Sequence, residues 1–235
     1  MAQALIFAVV ASAALVAGAL AGTRWTPPRA FLAALLAFAG GALTAALAFE
    51  LFEPAFEAGG HLASGIGLAA GAVTFVAADL LIERREREED DNSDGAGLAL
   101  LAGVTLDGVP ENLALGTTLA AGKGSVALLA AIFVSNFPEA LVGARTMRQN
   151  GWSTRLAVGT WTAVAALLAA TTIAGASLLG GLEGAALGFV LAFAGGAVLA
   201  SLADTVFPKA FTDGGPYVAL ATAAGFLVAF ELGVA

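Results

Sequence analysis

Two short segments of this chain carry the side chains best placed to do chemistry. They are Leu106-Asp107-Gly108-Val109-Pro110-Glu111-Asn112 and Val134-Ser135-Asn136-Phe137-Pro138-Glu139-Ala140. Each has a polar residue followed, three and four positions on, by Pro-Glu. Asp107 and Glu111 are four residues apart, so a helix sets both carboxylates on one face; Ser135 and Glu139 are related in the same way. The prolines add further oxygen donors. Pro110 and Pro138 have no N–H, so the carbonyls of Leu106 and Val134 lose their helical partners. Three carboxylates held close together repel one another and need a cation between them or protons on them. Carboxylate, hydroxyl, amide and carbonyl oxygens together suit a hard divalent cation. Carboxylates that give up protons to a metal also make such a site pH dependent.

The elements that position these groups are apolar runs of membrane-spanning length. The 235 residues are 59% hydrophobic and only 12% charged, against about 45–50% apolar and about 25% charged in an average soluble domain. Runs of about 20 apolar residues recur along the chain, the signature of transmembrane helices. The sequence predicts an all-α polytopic membrane protein with spans near 4–22, 30–52, 64–82, 97–120, 125–147, 156–179, 184–206 and 216–234. The first run has no basic residue before it and no polar domain after it, and reads as a retained helix rather than a signal peptide. Charge buried in a bilayer costs about 2.5–3.5 kcal/mol per residue on insertion scales, so each intramembrane carboxylate is a site hypothesis. Asp107 and Ser135 each lie ten residues inside their spans, about 15 Å from a helix end. Antiparallel neighbours bring both motifs to the same depth, near the midplane.

This composition excludes a soluble enzyme, a disordered chain and a disulfide-framed secreted domain. A net charge of −8 with no basic face excludes a nucleic-acid partner. The absence of cysteine removes thiolate metal ligands and a Cys nucleophile. The lone His61 leaves no His-Glu-x-x-His zinc-protease motif. No enzymatic role and no resident cofactor are expected.

Nine of the ten basic residues fall on one side of the eight-span arrangement, Lys123 alone on the other. The positive-inside rule then places both termini outside the cell membrane and the odd-to-even connections in the cytoplasm. Span two reads Phe38-Ala39-Gly40-Gly41-Ala42-Leu43 and ends in Phe52-Glu53-Pro54-Ala55-Phe56; span seven reads Phe193-Ala194-Gly195-Gly196-Ala197-Val198 and ends in Phe207-Pro208-Lys209-Ala210-Phe211. The offset is a constant 155 residues, and the two spans run in opposite directions. This is the pattern of an inverted-topology transporter repeat, helices 1–3 against 6–8 around a central pair 4–5.

The paired Pro-Glu motifs, the eight spans, the outside termini and the inverted repeat resemble the ZIP (Zrt/Irt-like) divalent-metal transporters over essentially the whole chain. The family's span-four motif is His-Asn-x-Pro-Glu-Gly, where this chain has Asp107 to Asn112. Its span-five motif is His-Asn-x-Pro-Glu-Gly or His-Glu-x-Pro-His-Glu, where this chain has Ser135 to Ala140. Carried over by position, the resemblance implies that Asp107, Glu111, Ser135 and Glu139 line a first metal position, with Asn136 reaching towards a second and the two glutamates bridging them. Both motif histidines are replaced, and Gly108 offers no ligand. Span six, where some members place a glutamate, contains no carboxylate. The match is therefore to a histidine-poor branch, one metal position is expected, and the all-oxygen set shifts the cargo from Zn²⁺ towards Mn²⁺, Fe²⁺ or Mg²⁺. The resemblance also implies a homodimer.

Other polar positions divide into path and surface. Glu53, Glu57 and His61 follow at four-residue spacing and are expected in a solvated loop broken by Pro54 and Gly59-Gly60. Glu50 near the outer side, and Asp79 and Asp204 near the cytoplasmic side, are candidates for the two mouths of a cation path. The connection 83–96, with its acidic run Glu83–Asp94, reads as a solvated cytoplasmic linker. Gly18-x-x-x-Gly22, Gly67-x-x-x-Gly71 and Gly184-x-x-x-Gly188 read as helix-packing contacts. The functional expectation is transport of a divalent metal towards the cytoplasm, the partners being the ion and the lipid bilayer. The alternatives are a proton-linked carrier of another small solute and a non-transporting metal sensor.

Overall fold

The computed structural model describes residues 2–88, 95–122 and 126–234, and these are helical almost throughout. In chain order the helices are α1 (Ala2–Gly22), α2 (Arg29–Ala46), α3 (Glu53–Glu88), α4 (Gly95–Ala120), α5 (Val126–Gln149), α6 (Thr154–Leu178), α7 (Gly184–Ser201), α8 (Phe207–Gly214) and α9 (Val218–Val234). Five stretches are long and apolar enough to cross a membrane: Ala2–Gly22, Arg29–Arg84, Val126–Gln149, Thr154–Leu178 and Gly184–Gly233. Large apolar side chains cover the outside of the bundle, among them Leu62, Val73, Leu178 and Leu220. A protein with that exterior has lipid as its solvent.

α4 carries Asp107, Glu111, Asn112, Thr117 and Thr118, and all five side chains are buried. The other helices supply its surroundings: α4 packs against α5, α6 and α7.

The sequence expectation needs correction around Glu53 to His61. A solvated loop was expected there, but the backbone stays helical. Pro54 follows closely on the π-helical stretch Leu47–Phe52, and the helical backbone runs on through it. Only Gly60 leaves helical geometry, with φ 67° and ψ −171°. His61 is thus carried on a helix, exposed, with its ring edge-on to Phe56 at 4.7 Å between centroids. Helix also runs through residues 83–88 of the expected linker; residues 89–94 and Lys123 lie outside the described residues.

Several local features coincide at the offset of 155. Leu47–Phe52 and Leu202–Val206 are both π-helical, directly after α2 and α7. Gly60 and Gly215 both have positive φ, 67° and 66°, with ψ −171° and −159°. α2 packs on α9 as α7 packs on α3, and α1 packs on α5 as α4 packs on α6. The closest approaches correspond as well. A Cβ on Gly41 would lie 1.9 Å from the Thr222 carbonyl oxygen, and one on Gly196 would lie 2.0 Å from that of Leu68. Small residues let these backbones touch where association must come from van der Waals contact rather than water exclusion.

The Gly-x-x-x-Gly motifs serve the same packing inside one chain. Gly18 and Gly22 abut the carbonyls of Phe137 and Leu141, and Gly67 and Gly71 those of Phe189 and Phe193. Gly188 abuts Ala55 and Gly59, whereas Gly184 faces open space and has positive φ. Substituting Gly71→Ala should therefore destabilise the folded bundle by about 1–3 kcal/mol, the usual cost of overpacking. Gly65→Ala, with nothing within 4 Å of the new methyl, should be neutral or stabilising by up to about 1 kcal/mol. Thermal unfolding in detergent, with both variants beside the parent, checks the contrast.

Candidate functional site

The two Pro-Glu motifs stand inside α4 and α5, which run helically through Pro110 and Pro138. Proline here removes one backbone hydrogen bond in each helix and leaves a carbonyl, Leu106 or Val134, without its amide. Asp107, Glu111 and Ser135 are buried and Glu139 is half-buried. The structure brings these four into one neighbourhood. Glu111 lies within electrostatic range of Asp107 and Glu139, and Glu139 within range of Asp107. The Ser135 hydroxyl is in hydrogen-bonding reach of the Glu111 carboxylate and also of the Ile132 carbonyl, 3.0 Å away. Among the described residues, no three His, Asp or Glu side chains converge closely enough to hold a metal ion. The carboxylates are neighbours without forming a closed shell.

Asn136 is placed differently from its fellows. Its amide nitrogen is directed to the Ala11 carbonyl oxygen in α1, at 3.5 Å, the long end of the hydrogen-bond range. Its own carbonyl oxygen is buried without a hydrogen-bond partner, as is the nearby Ser12 hydroxyl of α1. The Asn136 amide thus addresses the α1–α5 contact.

Three groups in and around the site were not found by reading the sequence. Ser201, near the end of α7, donates to Asp107 Oδ1 at 2.8 Å. Nothing in an Ala-rich span marks this serine; its role exists only because α7 crosses α4. Asn112 is fully buried, donates to the Gly108 carbonyl at 2.9 Å, and accepts from the Thr172 hydroxyl of α6 at 3.0 Å. The missing side chain at Gly108 has a reason here too: a Cβ would lie 2.6 Å from Leu168 of α6. Lys209, in α8, is within electrostatic range of both Asp107 and Glu139.

Acidic groups also stand at both ends of the bundle. Asp79 and Asp204 are within electrostatic range of Asp107, and Asp79 is also near Glu83. Glu50 and Glu53 line a cavity of about 220 Å³ between α2, α5 and α9, with Phe49 and Phe230 beside them. Neither a family model nor a curated protein matches the chain.

The Asn112–Thr172 bond is a test of how α4 is held. Thr172→Val keeps the shape but leaves the Asn112 oxygen without its donor. It should cost about 0.6–1.7 kcal/mol, the range measured for hydrogen bonds between membrane helices. Thr172→Ser should recover most of that loss, read as the unfolding midpoint in a denaturing detergent titration.

Proposed function

We propose that this protein is a membrane transporter of divalent metal cations, with Asp107, Glu111, Ser135 and Glu139 as the ion-binding set. The observation that carries the reading is the gathering of three carboxylates on two proline-containing helices inside a bundle with an apolar exterior. Isolated carboxylates are expensive at such a position, and a passing cation is what makes a cluster of them useful. The donor set fits a hard ion: carboxylates, a hydroxyl and the carbonyls of Leu106 and Val134. Manganese, ferrous iron, magnesium and zinc are the candidates as cargo.

Eight passes accommodate the helices best. The stretches Arg29–Arg84 and Gly184–Gly233 have 56 and 50 residues, about 84 and 75 Å if straight, against a hydrocarbon core of about 30 Å. Each is read as two passes, joined near Gly60 and Gly215. With α1, α4, α5 and α6 this makes eight. The matching π-helical stretches, positive-φ glycines and helix pairings support an inverted repeat of α1–α3 and α6–α9 around the α4–α5 pair. Transport then takes place by alternating access, the repeat bundles rocking about a midplane site.

The remaining acids mark a route. Glu50 and Glu53 form the mouth at one end, and Asp204 and Asp79 the exit at the basic end. The positive-inside rule makes the basic end cytoplasmic and the direction inward. The resemblance to the ZIP transporters supports the same reading, and adds a homodimer in the plasma membrane.

The test is uptake into proteoliposomes, with Zn²⁺, Mn²⁺, Fe²⁺, Co²⁺, Cd²⁺ and Mg²⁺ offered separately to the parent and to Glu111→Gln. One or more ions should enter the parent, and the variant should lose at least about tenfold in rate, the equivalent of roughly 1.4 kcal/mol. Equal uptake by the two proteins contradicts the assignment.

A further inference from the structure

Three basic side chains far apart in sequence meet at one end of the bundle. Arg29 opens α2, Arg145 lies in the last turns of α5, and Lys209 lies in α8. Together they line a cavity of about 210 Å³ in which Asp213 is the acidic residue. Gathering like charges is unfavourable unless an anion joins them; Lys209 also feels Asp107 and Glu139, but Asp213 is the one acid in the lining beside Arg29 and Arg145. The floor is apolar, formed in part by Leu32 and Leu36, both buried. α2 begins here without a side-chain cap on its first turn, so free amides and the positive end of the helix dipole add to the field.

From this cavity we infer that the cleft between α2, α5 and α8 binds the phosphate headgroup of an anionic membrane lipid. The inference depends on the chain spanning a membrane, and not on the metal it is proposed to carry. Basic side chains beside apolar ones suit a phosphodiester, and basic pockets between membrane helices are a recurrent form of headgroup site. The volume is below the roughly 300–1,000 Å³ typical of small-molecule sites, so it takes a headgroup while the chains remain in the bilayer. An unattached phosphate offers the same charge, and the arms of the experiment separate the two.

The experiment uses the full chain in neutral detergent and counts bound phosphatidylglycerol by native mass spectrometry while following thermal unfolding. Parallel arms use phosphatidylcholine of the same chain length and inorganic phosphate at the same concentration. Phosphatidylglycerol should bind and raise the unfolding temperature, and the other two should do neither. The variant Arg29→Gln/Arg145→Gln should bind it about twenty-five-fold more weakly, roughly fivefold for each charge lost. Lys209 is kept because its charge reaches Asp107 and Glu139. Arg145→Lys, which retains the charge, should bind nearly as the parent does, and so should Arg155→Gln, an exposed arginine on α6 that does not line the cleft. Equal stabilisation by phosphatidylcholine, equal stabilisation by inorganic phosphate, or undiminished lipid binding by the folded double variant would each overturn the inference.

Discussion

A carboxylate surrounded by helices and hydrocarbon has no water to stabilise it, and the rest of this structure is arranged around that difficulty. Asp107 and Glu111 lie buried on α4, and α5, α6 and α7 pack against it. The Ser201 hydroxyl meets Asp107, and Thr172 meets Asn112 on the same helix. These contacts partly replace water without neutralising charge. Under the proposed function a metal ion completes the neutralisation, so the site is held open by its neighbours and closed by its cargo.

Holding it open requires close and repeatable helix contacts, and these come from small residues. The core is largely alanine and glycine, with Ala11, Ala33, Ala37, Ala39 and Ala114 fully enclosed. Backbone meets backbone at Gly41 with Thr222 and at Gly196 with Leu68. Leu15, Trp161 and Leu168 fill the space between α1, α5 and α6. The π-helical stretches after α2 and α7 each insert an extra residue into the helical ladder, a feature often found at functional sites. One of them carries Glu50 and the other Asp204. Both acids bracket the path proposed above.

Much of this was legible in the residues. Apolar runs of spanning length predict the helices, and most observed ends differ from the expected ones by a few residues; α3 is the exception, beginning eleven residues early at Glu53 and ending six late at Glu88. The four-residue spacing in each Pro-Glu motif puts its polar pair on one face, and the structure brings Asp107, Glu111, Ser135 and Glu139 together. At the 155-residue offset read from Phe38 and Phe193, both halves have a π-helical stretch and a positive-φ glycine, which no residue type announces. What was not legible depends on how helices cross. Ser201 becomes a partner of Asp107 only through the α4–α7 contact, and Asn136 turns to Ala11 only through the α1–α5 contact. The loop expected at Glu53–His61 fails for a local reason: the helix runs on from the π-helical stretch through Pro54, and the break is confined to Gly60.

The central claim is that α4 and α5 place their carboxylates around one divalent cation. Electron paramagnetic resonance of Mn²⁺ titrated into the purified protein, beside Glu139→Gln, tests it without requiring transport. The account predicts loss of the free-ion signal up to one ion per chain in the parent, and a markedly weaker site in the variant. Equal binding by both proteins, or none by the parent with Mn²⁺ or with the other candidate ions in competition, would contradict it.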